Sequence, residues 1–216
     1  MFDINIQEFL QTLSIWAIPV LLAITLHEAA HGYVARLCGD NTAYMLGRVT
    51  LNPVKHIDPF GTLLVPLVLM LVSPFIIGWA RPVPVNFNNL KDERWGTVAV
   101  ALAGPGANLL LAILSVLALH FTMGLSNYWA EPLSLMLVAS IKINVLLMVF
   151  NLLPLLPLDG GRVLAALLPP KISYEFSKTE RWGMMIIILL AVTGVLFQII
   201  VPLMNGVLSL LMPFLP

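Results

Sequence analysis

Charged residues are scarce in this chain: Asp, Glu, Lys and Arg make up 10% of its 216 residues, against about 25% in an ordinary soluble domain. Hydrophobic residues make up 59%. This composition predicts an integral, multi-pass membrane protein. Because the loops between the apolar segments are too short to hold a folded appendage, we expect residues 1–216 to form one integral-membrane domain.

An excess of positive charge is also absent, since 11 basic residues balance 11 acidic ones. Nothing therefore indicates a nucleic-acid partner. Cysteine is nearly absent as well, because Cys38 stands alone. A single cysteine excludes an internal disulfide bond and gives no redox signal. We expect Cys38 to be a small packing residue.

Two histidines and a glutamate lie within the first long apolar segment, in the sequence His27-Glu28-Ala29-Ala30-His31. On a helix, residues four apart lie about one turn along the same face, so the two imidazoles can bind one metal ion. Charged side chains in lipid cost about 2.5–3.5 kcal/mol each on insertion scales, and helix propensity does not offset this cost. The cluster therefore needs a ligand, and a buried zinc ion is the simplest one.

A catalytic zinc site needs a third protein ligand and an open position, and Asp159 is the main candidate. It follows Pro154 and Pro157, which break a helix, and precedes Gly160 and Gly161, which permit tight turns. The carboxylate is thereby presented at a helix end, where a metal ion can reach it. Taken alone, the commoner role of such an Asp is that of a helix N-cap.

The chain has four apolar segments of roughly the 20 residues that cross a bilayer, at 12–37, 97–122, 133–153 and 183–201. Residues 60–79 are long enough to cross but contain two prolines, and residues 203–215 are too short to span comfortably. We expect an all-α polytopic membrane protein with about four to six membrane segments.

The basic residues favour one arrangement of residues 60–79. If this segment enters and leaves the membrane on the same side, ten of the eleven Lys and Arg residues lie in the cytoplasm, and only Lys142 lies within a span. We therefore expect a re-entrant hairpin at 60–79, with the N-terminus outside and the first helix running inward. Protein or water must then cover its backbone. A plain additional helix is the alternative.

Residues 47–52 alternate in the manner of a strand and end at the Asn52-Pro53 breaker. The pattern predicts a short β-strand or hairpin near 44–53, and an irregular loop is an equal alternative. A strand here could hold an extended substrate by edge pairing.

Three motifs together resemble the site-2 protease family of intramembrane zinc metalloproteases. The first two are the HEAAH sequence at 27–31 and Gly-Pro-Gly-Ala-Asn at 104–108, which match the family's HExxH and Gly-Pro-x-x-Asn motifs. The third is the sequence NLLPLLPLDGGR at 151–162, which matches its Asn/Pro-rich run ending in Asp-Gly. The chain is similar to the short members of the family, which have no PDZ or CBS domain.

The resemblance implies one Zn²⁺ per chain, bound by His27, His31 and Asp159. Glu28 would be the general base that takes a proton from the zinc-bound water. The implied function is a zinc metalloendopeptidase for regulated intramembrane proteolysis, which hydrolyses peptide bonds within or next to the transmembrane segment of a single-span substrate. The implied location is the lipid bilayer of the prokaryotic cell (inner) membrane. The identity of the substrate and the oligomeric state stay open.

Hydrolysis also needs hydrogen-bond donors for the oxyanion. The family places an Asn eight residues before the metal-binding Asp, which makes Asn151 the best candidate for this catalytic role. Asn108 and Asn144 are weaker candidates, because hydrogen bonding between helices is the commoner role of Asn in a bundle.

Three other functions fit parts of the pattern. An intramembrane His/Asp cluster could carry or sense a divalent ion, although transport needs polar groups along a path. A catalytically inactive homologue could act as a membrane scaffold. A protease of another HExxH family would take a downstream Glu as its third ligand, and the candidates are Glu93, Glu131, Glu175 and Glu180.

Overall fold

The computed structural model describes residues 5–64 and 80–215, and these residues contain α-helices and short turns but no β-strand. The longer helices are α1 (Ile6–Cys38), α3 (Glu93–Thr122), α4 (Asn127–Asn151) and α8 (Val195–Leu211). The shorter helices are α2 (Thr42–Met45), α5 (Asp159–Leu167), α6 (Pro170–Ser177) and α7 (Glu180–Val192). Single turns of 3-10 or π-helix complete the described elements, at Pro53–His56, Pro59–Leu64, Phe87–Asn89 and Met212–Phe214.

Four of the described helical segments are long and apolar enough to cross a membrane: Ile6–Cys38, Glu93–Thr122, Tyr128–Asn151 and Val195–Phe214. Their outer surfaces carry many large exposed hydrophobic side chains, as lipid-facing helices do. The prediction of an all-α, multi-pass membrane protein is confirmed.

The fourth predicted span, at 183–201, is wrong. Helix α7 ends at Val192, and Gly194 adopts the left-handed conformation with φ of 78° before α8 begins. A left-handed glycine is a common helix terminator, but here it lies inside an unbroken apolar run that hides it. The fourth spanning segment therefore lies further along the chain and includes most of residues 203–215.

The predicted strand near 44–53 is also wrong, and the irregular-loop alternative is confirmed. The chain forms the short α2, turns at Gly47 with φ of 64° and continues irregularly to the turn Pro53–His56. Arg48 points inward with 8% of its surface exposed, and its side chain bonds to backbone carbonyls of a distant loop. Residues 44–53 are therefore held by the side chain of Arg48 and not by hydrogen bonds between strands. The described residues offer no strand here that could bind a substrate by edge pairing.

The re-entrant hairpin predicted at 60–79 falls mainly outside the described residues. Only its first residues are described, within the π-helical turn Pro59–Leu64. The hairpin stays a prediction.

The interior of the bundle is built by α1, α3 and α4, which pack against one another, while α5 packs against α3. A large apolar core joins α3, α4, α7 and α8 through residues such as Val116, Val145 and Ile187. The polar groups described next lie where α1, α3 and the start of α5 meet.

Candidate metal centre

Helix α1 directs His27 and His31 into the interior of the bundle, one turn apart on the same face. They are 6% and 8% exposed, and their Nε2 atoms lie 3.0 Å apart. The surrounding helix is apolar, so the two imidazoles face each other in a site that is largely closed to solvent.

Asp159 joins the two histidines from the far end of the chain. It is the first residue of α5, and its Oδ2 lies 3.3 Å from Nε2 of both His27 and His31. Leu158 is the N-cap residue of α5 and makes no side-chain cap bond. The interpretation of Asp159 as an ordinary N-cap is therefore wrong, because its carboxylate is turned toward the imidazoles.

Two glycines allow α5 to start this close to the end of α4. A Cβ atom at Gly160 would lie 2.2 Å from the carbonyl oxygen of Leu152, and one at Gly161 would lie 2.5 Å from the carbonyl carbon of Leu155. Real Cβ atoms do not approach other atoms so closely. The Asp-Gly-Gly sequence therefore lets the loop at 152–158 fold back and deliver the carboxylate.

The outer nitrogen of each imidazole has a hydrogen-bond acceptor. His31 Nδ1 lies 2.7 Å from the carbonyl oxygen of Val100, which can only accept, so Nδ1 carries the proton. Asn108 donates through Nδ2 to the carbonyl oxygen of Ala23 and to Oδ1 of Asn144. Its Oδ1 is left to accept from His27 Nδ1, at 2.6 Å.

With the proton on Nδ1, the neutral form of each imidazole, which is the form that binds a metal ion, directs its Nε2 lone pair to the centre. The third atom there, Oδ2 of Asp159, is buried and has no hydrogen-bond partner within the described part of the chain. Three acceptors that converge without a donor repel one another unless a cation lies between them. Two imidazoles and one carboxylate are a typical donor set of catalytic zinc, so the residues fit Zn²⁺.

Gly104 on α3 keeps the space beside the imidazoles open. A Cβ atom there would lie 2.6 Å from Nε2 of His27 and in severe overlap with Nε2 of His31. The Gly-Pro motif therefore brings the backbone of α3 against the same two nitrogen atoms that converge with Asp159.

Glu28, between the two histidines, is half-buried. Its Oε2 accepts a hydrogen bond of 2.7 Å from the backbone N–H of Val83. Neither this bond nor the contact of His31 with Val100 could be predicted, because a backbone group leaves no residue-type signal in the sequence.

Asn151 is the last residue of α4, and its Nδ2 donates to the carbonyl oxygen of Leu147, at 2.9 Å. One amide hydrogen of Asn151 is thus used within its own helix, and no described contact joins it to the three converging donors. Asn108, which the sequence ranked below Asn151, is the asparagine that contacts a histidine. Its position within the apolar α3 was visible in the sequence, but its partner was not.

The glutamates that the sequence offered as alternatives to Asp159 for the third metal ligand do not lie at this centre. Within the described residues, the group able to hold a metal ion contains His27, His31 and Asp159. Glu180 pairs with Arg162 and Glu175 with Lys178, both at the surface.

Comparison with known proteins identifies relatives of this chain. The model of Peptidase family M50 matches residues 15–137 and 126–194. "Putative zinc metalloprotease YwhC" of Bacillus subtilis (strain 168) is 40% identical over 193 residues, which are 88% of this chain and 85% of the relative. "Putative zinc metalloprotease Rip2" of Mycolicibacterium smegmatis is 29% identical, over 82% of this chain and 66% of the relative. No solved structure matches.

Proposed function

Because the chain belongs to Peptidase family M50 and is an intramembrane zinc metalloprotease, we propose that His27, His31 and Asp159 hold its zinc ion. The observation that carries this assignment is the convergence of two Nε2 lone pairs and one orphaned carboxylate oxygen inside the bundle. Zinc bound there would supply a Lewis acid that lowers the pKa of water, so that water can lose a proton and attack a peptide near neutral pH.

Asn108 and the carbonyl of Val100 hold the two imidazoles in the tautomer that binds a metal ion. Outer partners of this kind fix ring orientation, and their loss typically costs 10–100-fold in metal affinity or activity. Asn144 in turn bonds to Asn108, so the orientation of His27 depends on a buried contact between α3 and α4.

Glu28 acts as the general base. The attacking water gives its proton to a carboxylate oxygen of Glu28 as the water oxygen bonds to the peptide carbonyl carbon. When the C–N bond breaks, Glu28 returns that proton to the leaving nitrogen. Its Oε2 is occupied by the Val83 amide, so Oε1 is the atom available for the proton.

Asn151 serves as the donor that stabilises the oxyanion of the tetrahedral intermediate. One hydrogen of its amide is bonded to Leu147, and the second, which makes no hydrogen bond among the described residues, can point toward a substrate carbonyl. Oxyanion donors of this kind contribute about 10²–10³-fold to kcat.

The substrate is a single-span membrane protein, cut within or next to its transmembrane segment, in the prokaryotic cell membrane. Support for this comes from the position of the centre, inside a bundle with four helices able to span a membrane. A substrate helix hides its carbonyls in its own hydrogen bonds, so the segment that is cut must unwind locally.

The experiment is the incubation of the purified protein with single-span substrates, with the zinc content of every variant measured. Glu28→Gln is expected to keep zinc and lose hydrolysis, and Asn151→Ala to keep zinc and lose most of kcat. Hydrolysis at the wild-type rate by Glu28→Gln would refute the proposed mechanism. Flux of the metal ion across vesicles that contain the wild-type protein, and equal flux with Glu28→Gln, would favour the metal carrier instead.

A further inference from the structure

We propose that residues 80–86, here called the strap, hold the carboxylate of Glu28 in its working position, with Arg48 and Asp40 as the anchors of the strap. The inference rests on the proposed role of Glu28 as general base. It assigns a positioning function to a loop and two buried charges that the zinc chemistry does not use.

The contact with Glu28 comes from the middle of the strap. Val83 is 8% exposed, and its N–H donates to Oε2 of Glu28, at 2.7 Å. Its neighbours Pro82 and Pro84 have no N–H. Val83 therefore offers the single backbone N–H of residues 82–84, and its bond holds Oε2 of Glu28, while Oε1 makes no hydrogen bond among the described residues.

Arg48 anchors the first half of the strap. Its Nη2 donates to the carbonyl oxygen of Arg81 at 2.8 Å and to that of Pro82 at 3.3 Å. The N–H of Arg81 donates to the carbonyl oxygen of His56, at 2.9 Å. The residue before Val83 is thus held by a guanidinium group that is itself 8% exposed.

Asp40 anchors the other end. It is fully buried, and its Oδ2 accepts the backbone N–H of Asn86 at 2.8 Å. Its Oδ1 accepts from Nδ2 of Asn89, at 3.1 Å. Asp40 directly follows Gly39, the C-cap residue of α1, so it ties the strap to the same helix that carries Glu28.

Burying a charge costs free energy unless hydrogen bonds satisfy it. Arg48 donates its described bonds to two carbonyl oxygens of the strap, whereas Asp40 accepts one bond from the strap and the others from Thr42 and Asn89. A loop fastened at both ends by buried charges is a fixed part of the site and not a lid. Catalytic groups need such support, because a misplacement of about 1 Å can cost about 10²-fold in rate.

The test replaces Val83 by proline, which removes the N–H that donates to Glu28. Val85→Pro is the matched control, because residue 85 also follows a proline of the strap and its N–H donates no hydrogen bond among the described residues. Each variant is assayed for kcat, KM and zinc per chain.

Val83→Pro is expected to lower kcat at least tenfold, with zinc content and KM within about twofold of wild type. Val85→Pro is expected to stay within about threefold of the wild-type kcat. A kcat for Val83→Pro equal to that of Val85→Pro would overturn the inference, and so would loss of zinc from Val83→Pro, since the amide would then support the metal centre and not the base.

Amide hydrogen exchange tests the contact without an activity assay. The strap has few exchangeable amides, because Pro82 and Pro84 have none. In wild type the Val83 amide is expected to exchange slowly, because it donates a hydrogen bond to Glu28. Glu28→Ala should make one strap amide fast, and unchanged exchange would overturn the inference. Hydrolysis at the wild-type rate by Glu28→Gln would refute both the general-base role of Glu28 and this inference. An inactive Glu28→Gln together with a fully active Val83→Pro would refute only the positioning role of the strap.

Discussion

Gly104 decides how closely the backbone of α3 approaches the two imidazoles. The space that a methyl group would need at this position is already occupied by the Nε2 atoms of His27 and His31. A Cβ atom is fixed to the backbone and cannot rotate away, so the two imidazoles would have to move. The residue therefore has a steric role in the metal centre, even though it offers no ligand.

Gly104→Ala is expected to displace the imidazoles and reduce bound zinc to well below one ion per chain. Gly106→Ala is the control on the same helix, because a Cβ atom at Gly106 would meet nothing within 4 Å. Zinc per chain, measured on both purified variants, checks the prediction. Equal zinc content in the two variants would contradict the steric role of Gly104.

At the residue scale, the sequence predicted the converging donors but not their supports. His27, His31 and Asp159 are conspicuous because ionisable side chains are rare in an apolar chain and must be paired or bound to a ligand. The supports are backbone groups of Val100 and Val83, and an asparagine whose interhelical partner depends on how α1 and α3 pack. These partners follow from tertiary geometry, which a linear pattern does not encode.

At the scale of elements, hydrophobic length predicted where long helices exist but misplaced one of them. The segments near α1, α3 and α4 were found because polar loops separate them. The last two helices form one apolar run, in which only the left-handed Gly194 marks the break. The strand near 44–53 was wrongly predicted because alternation also arises where a loop turns one polar side chain, Arg48, inward.

Asp40 connects α1 to the strap, and its contribution to folding stability depends on pH. Burial raises the pKa of this carboxyl, but hydrogen bonds from Thr42, Asn86 and Asn89 outweigh burial and hold the pKa below its ordinary value of 3.8. Since the pKa is lower in the folded state, the ionised form stabilises folding above pH 3.8. This contribution is lost as the pH falls through the folded-state pKa.

Asp40→Asn is therefore expected to lower the Tm at pH 7, because an amide cannot accept all the hydrogen bonds that the carboxylate accepts. The difference in Tm from wild type should start to narrow as the pH falls below about 4 and should be lost below the folded-state pKa, where the wild-type carboxyl is also neutral. Thermal unfolding of both proteins across this pH range measures the effect. A gap of constant size would mean that the ionisation of Asp40 does not contribute.

At the scale of the whole molecule, a shell of exposed apolar side chains surrounds an interior that is largely apolar and contains one local cluster of polar groups. Large hydrophobic residues such as Leu22, Leu110 and Phe121 lie on the outside of the spanning helices. The polar groups are concentrated where α1, α3 and α5 meet. His27 and Asp159 lie 132 positions apart in the sequence and come together only when the bundle is complete. Zinc binding is thus expected to depend on the entire fold.

X-ray absorption at the zinc edge, on the purified protein in detergent, tests the metal centre most directly. Wild type is expected to bind about one zinc ion per chain, with two imidazole nitrogens at about 2.0–2.1 Å and oxygen in the remaining positions. Asp159→Ala should lose most of this zinc. A first shell without imidazole, or an unchanged zinc site in Asp159→Ala, would contradict the assignment of His27, His31 and Asp159.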